Sequence, residues 1–302
     1  MSSDVSVSDR RTRPAPAPRR RPRSPRTGFT PGRTVGSALV WAIVAFNLAI
    51  FAFLLIASFR STAEIFAQPW GLPTTLHVEN WVRAWTESGF ARATANTVLL
   101  AVAGAVTATA VCAPAAYVLS RVRTRSAGPI SVFFVLGLGI PAHVTVIPLF
   151  AMMADVGLVN SLFGLYILYS ATHVPFTVFL LTGFFRSLPG EVEEAAALDG
   201  ASAWRSFWQI MLPLARSGIL TVLILNVISI WNETLLGLVF LQSAENYTLS
   251  LALLNFMASM QFSGADYGSL FAGVCILVLP MVALYAWFGR RLVEGITMGS
   301  GK

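Results

Sequence analysis

"EEAAALDGASAWRSFWQIMLPL", residues 193–214, decides how the rest of the chain is read. Glu193, Glu194, Asp199 and Arg205 form a polar island between long apolar runs. Hydrocarbon offers no partner to such charges or to backbone freed at a glycine, so no lipid-facing segment would tolerate them. Upstream, Ser187, Pro189 and Gly190 break the chain, and Glu191, Glu193 and Glu194 suit the positive end of a new helix dipole. Gly200 can take the left-handed conformation that stops this helix. A second short helix opens at Ser202 and carries Trp204, Phe207, Trp208 and Ile210 before Pro213 leads into the next apolar run. The expected local structure is two short helices with a glycine corner. Ala195, Ala196 and Ala197 give the first a slim side able to enter a cleft, flanked by acids suited to basic groups on a partner.

The surroundings set the compartment. Of 302 residues, 55% are hydrophobic and 12% charged, against roughly 25% charged in an average soluble domain. With a mean hydropathy of +0.68, the chain reads as an all-α integral membrane protein. Runs at 34–59, 93–120, 126–154, 156–185 and 267–289 are uncharged, and a run at 217–244 is interrupted only by Glu233. Each supplies the ~20 residues that a ~30 Å hydrocarbon core requires. Six transmembrane helices follow, preceded by a mobile Arg/Pro-rich tail over 1–33, so that 34–302 forms the membrane domain.

Charge fixes the orientation. Six spans put both termini and the polar island on one side, and of the 21 Lys and Arg only Arg60, Arg83 and Arg92 fall opposite. Under the positive-inside rule that side is the cytoplasm of a multi-pass cell-membrane protein. The tail has Arg and Pro without aromatic residues, which reads as a lipid-attracted segment rather than a nucleic-acid site. On the outer side, Trp70, Trp81 and Trp85 suit the membrane interface, with a short lateral helix over 77–88. The second span is crowded with Ala, Gly and Thr and reads as an interior packing helix, while Pro114, Pro141, Pro148, Pro175 and Pro280 mark kinks. Arg290 and Arg291 should end the sixth span and leave a free glycine-rich tail. Cys112 and Cys275 read as small packing residues, and His77, His143 and His173 stand too far apart in sequence for a metal site.

The spacing Glu194-Ala195-Ala196, three residues, Gly200, nine residues, Ile210, one residue, Leu212-Pro213 resembles the EAA loop of importer-type ABC transporter permeases. The stretches "SFRSTAEIF", "VENWVRAW", "AAYVLSRVR", "GLVNSLFGLYI", "WNET", "YTLSLAL" and "EGITMGSGK" are similar to the carbohydrate-uptake branch, specifically the smaller maltose-transporter-type subunit. Relatives commonly carry an aromatic residue where Thr234 stands. The resemblance implies an importer-type permease fold in which the island is a coupling helix, with Glu193, Glu194, Ala195, Ala196, Asp199, Gly200 and Pro213 meeting the ATPase. It further implies a heterodimer with a second permease, two cytoplasmic ATPase subunits, an extracytoplasmic solute-binding protein and a sugar substrate.

The chain holds no phosphate-binding loop of its own: before its only Gly-Lys pair, Gly301-Lys302, the position requiring glycine is Ile296. ATP is therefore expected on partner subunits, with no cofactor in this chain. An intramembrane enzyme would need convergent ionisable groups or a nucleophile motif, and none accompanies Glu233, His143 and His173. An ion-coupled carrier acting alone, the alternative, would show several acids at depth and internal repeats, where one acid is visible. That acid, Glu233, lies roughly 26 Å beyond Arg216 along a helix, near the outer edge. With Trp231 and Asn232 it is a candidate for the pathway or its outer gate, or for a tie between spans.

Overall fold

The computed structural model describes residues 31–121 and 125–299, and among them no strand occurs. The chain divides into two compact units, one up to Ala49 and one from Ile50 onward. In the first unit the described residues are helical and belong to α1 (Pro31–Ala57), the first apolar run of the sequence. Residues 1–30 of the Arg/Pro segment, together with Arg123 and Lys302, lie outside the described residues, and Pro31 to Arg33 open α1.

The second unit is built around α4 (Phe90–Arg121). Its small side chains Ala93, Ala101, Gly104, Ala105, Ala108 and Ala116 are buried, as expected where helices associate without a hydrophobic drive and must approach closely. A Cβ on Gly104 would stand 3.0 Å from Ile230 Cδ1. Against α4 pack α7 (Leu162–Thr172), α8 (Val174–Ser187), α12 (Arg216–Trp231) and α14 (Leu249–Ser263). Between α8 and α12, buried Asn226 donates to Thr177 Oγ1 at 2.9 Å, a polar tie inside an apolar interface.

The expected spans are realised in two ways. Val35–Ala57, Phe90–Arg121 and Tyr267–Gly289, the last within α15 (Tyr267–Gly299), are single helices long and apolar enough to cross a bilayer. Three further candidates are bent pairs, which brings the total to at most six. The run 126–154 divides into α5 (Ala127–Leu138) and α6 (Ala142–Asp155), bent by 100°, because Gly139 and Pro141 interrupt the hydrogen-bond ladder. The run 156–185 divides at His173 into α7 and α8 with a 41° bend, and Pro175 sits in the first turn of α8, where a missing N–H costs nothing.

The run 217–244 departs most from its reading as one span. Its helix stops at Trp231, and the residues beyond the break form α13 (Leu235–Phe240). The third bent pair joins α12 to residues 203–214 at 73°. Helix α14 follows from a stretch that the sequence left unassigned. Helix α15 continues past Arg290 and Arg291 to Gly299, so the glycine-rich end is helical that far. Outside the apolar runs lie α2 (Thr62–Ala67), where the sequence suggested no helix, and α3 (Glu79–Val82), which with a π-helical turn over Arg83–Glu87 falls within the helix expected over 77–88. Arg60 is 2% exposed and donates to the carbonyls of Glu64, Gln68 and Pro69, so it closes the C-terminal end of α2.

The stretch "GLVNSLFG" is a turn held by one side chain. Among the described residues, Asn160 is the non-glycine residue with positive φ, at 56°. Its Oδ1 accepts from the amides of Gln242 and Ser243, at 2.9 Å each, and its Nδ2 donates to Ser243 Oγ at 2.7 Å. Gly164 is required nearby, since a Cβ there would lie 2.2 Å from the Leu158 carbonyl oxygen. Asn160→Ala should destabilise the protein by about 2–4 kcal/mol, from three lost hydrogen bonds and a left-handed backbone that Ala resists. Asn160→Asp keeps both acceptor bonds and should lose less. Thermal unfolding in detergent ranks the three, and an Ala variant as stable as the wild type would contradict the clamp.

Candidate functional site

The polar loop folds as its local signals dictate. Helix α9 (Glu191–Leu198) carries three acids in its first turn. It ends in a closed cap: the Gly200 amide donates to Ala197 O at 3.1 Å and the Ala201 amide to Ala196 O at 2.9 Å, with Gly200 at φ 78°. These two hydrogen bonds around a left-handed residue satisfy two carbonyls that the helix end would leave open. Ser202 then caps α10 (Ala203–Ser206) through the Arg205 amide. A π-helical turn over Phe207–Met211 follows, and α11 (Leu212–Leu214), with Pro213 in its first turn, leads into α12.

One face of the loop is seated on the bundle. The Glu193 carboxylate pairs with Arg121 Nε at 2.5 Å and accepts a hydrogen bond from the Tyr117 hydroxyl. Arg121 also donates to Leu188 O at 3.0 Å. Tyr117 and Arg121 stand four residues apart, hence on the same face at the end of α4. Below them Phe207 and Met211 are buried in a cluster with Ala116, Leu181 and Phe185, and the Tyr117 ring lies 5.1 Å from Phe207 and 5.6 Å from Phe185.

The other face is free. Leu198 is 90% and Trp204 70% exposed, Trp208 is exposed beside Trp204 with ring centroids 5.5 Å apart, and Glu194, Ala195, Asp199 and Pro213 are exposed as well. Of the residues expected to meet a partner, Glu193 and Ala196 instead face inward. The loop thus presents an apolar ridge with two acids beside it. Sequence reasoning missed Tyr117 and Arg121, although their i, i+4 spacing next to a chain break signals a shared task.

At the far end of α12, Trp231, Asn232 and Glu233 diverge. Trp231 is buried and donates to Leu277 O in α15 at 3.1 Å, while Asn232 is exposed and bonds back to Ile228 O. Glu233 turns toward α7 and α13, accepting from Tyr169 Oη and the Leu236 amide, each at 2.8 Å. The structure therefore does not gather the three into one rim. Glu233 closes the start of α13 and ties it to α7.

The seat predicts non-additive energetics. Glu193→Ala and Arg121→Ala should each destabilise, because each leaves the other's partly buried charge unpaired, and the double variant should cost less than the sum. A double-mutant cycle on thermal unfolding should give a coupling of about 1–2 kcal/mol. Additive effects would mean that the ion pair holds nothing in place.

Comparison with known proteins agrees with this architecture. The family described as binding-protein-dependent transport system inner membrane component matches residues 106–296, a span that includes the whole polar loop. The diacetylchitobiose uptake system permease protein NgcG of Streptomyces coelicolor is 35% identical over 262 residues, covering 87% of this chain and 86% of NgcG. The trehalose transport system permease protein SugB of Mycobacterium tuberculosis is 30% identical, covering 76% and 84%. Among solved structures, a bacterial ABC transporter involved in the import of the acidic polysaccharide alginate superposes with a TM-score of 0.67 at 26% identity, covering 84% of this chain and 97% of that one. With its helical bundle, broken spans and seated polar loop, the chain belongs to the family of binding-protein-dependent transport system inner membrane components.

Proposed function

We propose that this chain is one permease subunit of an ABC importer for a neutral di- or oligosaccharide, and that α9 with its glycine corner docks into a cytoplasmic ATPase. The observation that carries the proposal is the two-faced loop: Glu193, Phe207 and Met211 hold it to α4 and α8, while Leu198, Trp204 and Trp208 stand in solvent beside Glu194 and Asp199. An exposed apolar ridge on a rigid seat suits a partner's groove. The relatives' names support a sugar as cargo, since they are permeases for diacetylchitobiose and trehalose. The partners of this reading are a second permease, two ATPase subunits that bind and hydrolyse ATP, and an extracytoplasmic solute-binding protein. Both termini and the loop lie in the cytoplasm of a multi-pass membrane protein, following the positive-inside asymmetry.

Two measurements test the reading. Glu194→Lys reverses a charge on the free face, and Gly200→Pro forbids φ 78° and removes the capping amide. In the complete transporter, both should abolish uptake of diacetylchitobiose or trehalose, whichever the wild type carries, at normal membrane abundance and with lost substrate-stimulated ATPase activity. Full transport by either variant would overturn the docking role. For orientation, an impermeant thiol reagent outside intact cells should label Ser88→Cys and spare Ser202→Cys, and labelling at 202 would invert the topology.

A further inference from the structure

A cavity of about 380 Å³ opens within the membrane-spanning part of the second unit, walled by α6, the end of α7, α8, α12 and α13. Its size falls in the ~300–1,000 Å³ range of small-molecule sites. Two helices break at its wall: α7 gives way to α8 at His173 with a 41° bend, and α12 ends just before Glu233. Irregular backbone at membrane depth is tolerated where it is buried in protein or lines a cavity, and there it commonly marks the path of a polar cargo.

The polar groups at this wall are mainly acceptors. His173 Nδ1 stands 2.7 Å from the Tyr169 carbonyl, so Nδ1–H donates there and Nε2 remains for another partner. Thr172 gives its hydroxyl proton to Leu168 O at 2.8 Å, which leaves its oxygen to accept. The Glu233 carboxylate takes the Tyr169 hydroxyl, the Leu236 amide and, at 3.4 Å, the Gly237 amide. A carboxylate offers about four acceptor sites, so one further donor can be taken. Ser229 adds a hydroxyl and Phe176 an aromatic ring. Among the described residues no Lys or Arg lines the cavity.

We infer that this subunit itself holds the passing sugar in this cavity, with Glu233 and His173 accepting its hydroxyls and Phe176 meeting its C–H face, and that the site takes neutral sugars and turns away acidic ones. A sugar carries many O–H donors and an apolar ring face, complementary to this lining. A uronate would bring a second negative charge within about 9 Å of Glu233 with no cation between, a repulsion of roughly twentyfold in occupancy at an effective dielectric of about 20. The inference rests on the reading of the chain as a sugar-importer permease.

The test uses the complete transporter in proteoliposomes with its binding protein and ATP. Ser229→Cys places a thiol on the cavity wall, and Thr172→Cys provides a second, independent position. During turnover, the neutral disaccharide that the wild type carries should slow labelling by a small thiol reagent about fivefold when present at several times its dissociation constant, and digalacturonate should leave it unchanged. In a Glu233→Gln background, digalacturonate should begin to protect. Unchanged labelling at both positions in a transporter that carries the neutral sugar would overturn the inference, as would equal protection by digalacturonate in the Glu233 protein. A wild type that carries no neutral sugar would overturn the importer reading beneath it.

Discussion

The carboxylate of Glu193 is the point on which the architecture turns. It sits in the first turn of a short amphipathic helix, and its charge is taken by Arg121 and Tyr117 at the end of the central span. An exposed eight-residue helix has too few internal bonds to persist alone. Its geometry is set by this pair and by the apolar plug of Phe207 and Met211 beneath it. Because α4 also packs on α7, α8, α12 and α14, a displacement of α9 that preserved this pair would carry the bundle's centre with it. That is the physical content of coupling in the proposed transporter.

A second constraint governs the membrane part. Hydrocarbon satisfies no backbone group, and several interruptions of the helices bring their own side-chain partner. Asn160 receives the amides of Gln242 and Ser243, Asn96 donates to the carbonyls of Glu245 and Tyr247, and Thr97 Oγ1 accepts the Leu249 amide at 2.7 Å to start α14. Glu233 does the same for α13 and His173 for the end of α7. These side chains let the bundle keep irregular segments without exposing polar backbone to lipid. Such segments also leave room for a polar void beside α12.

What could be read in advance follows the range of each interaction. The all-helical membrane architecture, the interior character of α4 and the glycine corner at Gly200 depend on composition and on contacts within one helical turn, and the residues declare them directly. The breaks at Gly139 and Pro141 and at His173 were marked by their prolines, but the bend angles depend on neighbouring helices. The end of α12 at Trp231 was hidden, because "WNETLLGLVF" carries no Gly or Pro before Leu235 and is apolar from there onward. What the sequence hides is the partner of Glu233, which bonds to Tyr169, 64 residues away, while its carboxylate also accepts the Leu236 amide at the start of α13. The inward turn of Glu193 was hidden for the same reason. In sequence it is one acid of three at a helix start, and its partners lie more than 70 residues upstream.

The central claim is that the polar loop and α4 move as one body. Spin labels at Leu198, exposed on α9, and at Val118, exposed on α4, report it in the assembled transporter by pulsed electron–electron distance measurement. The account predicts one narrow distance distribution that stays the same without nucleotide, with trapped ATP and after hydrolysis, while the distance from Leu198 to a label on the ATPase is free to change. A distribution between Leu198 and Val118 that shifts or splits with nucleotide state would show the loop moving independently of its seat, and would contradict it.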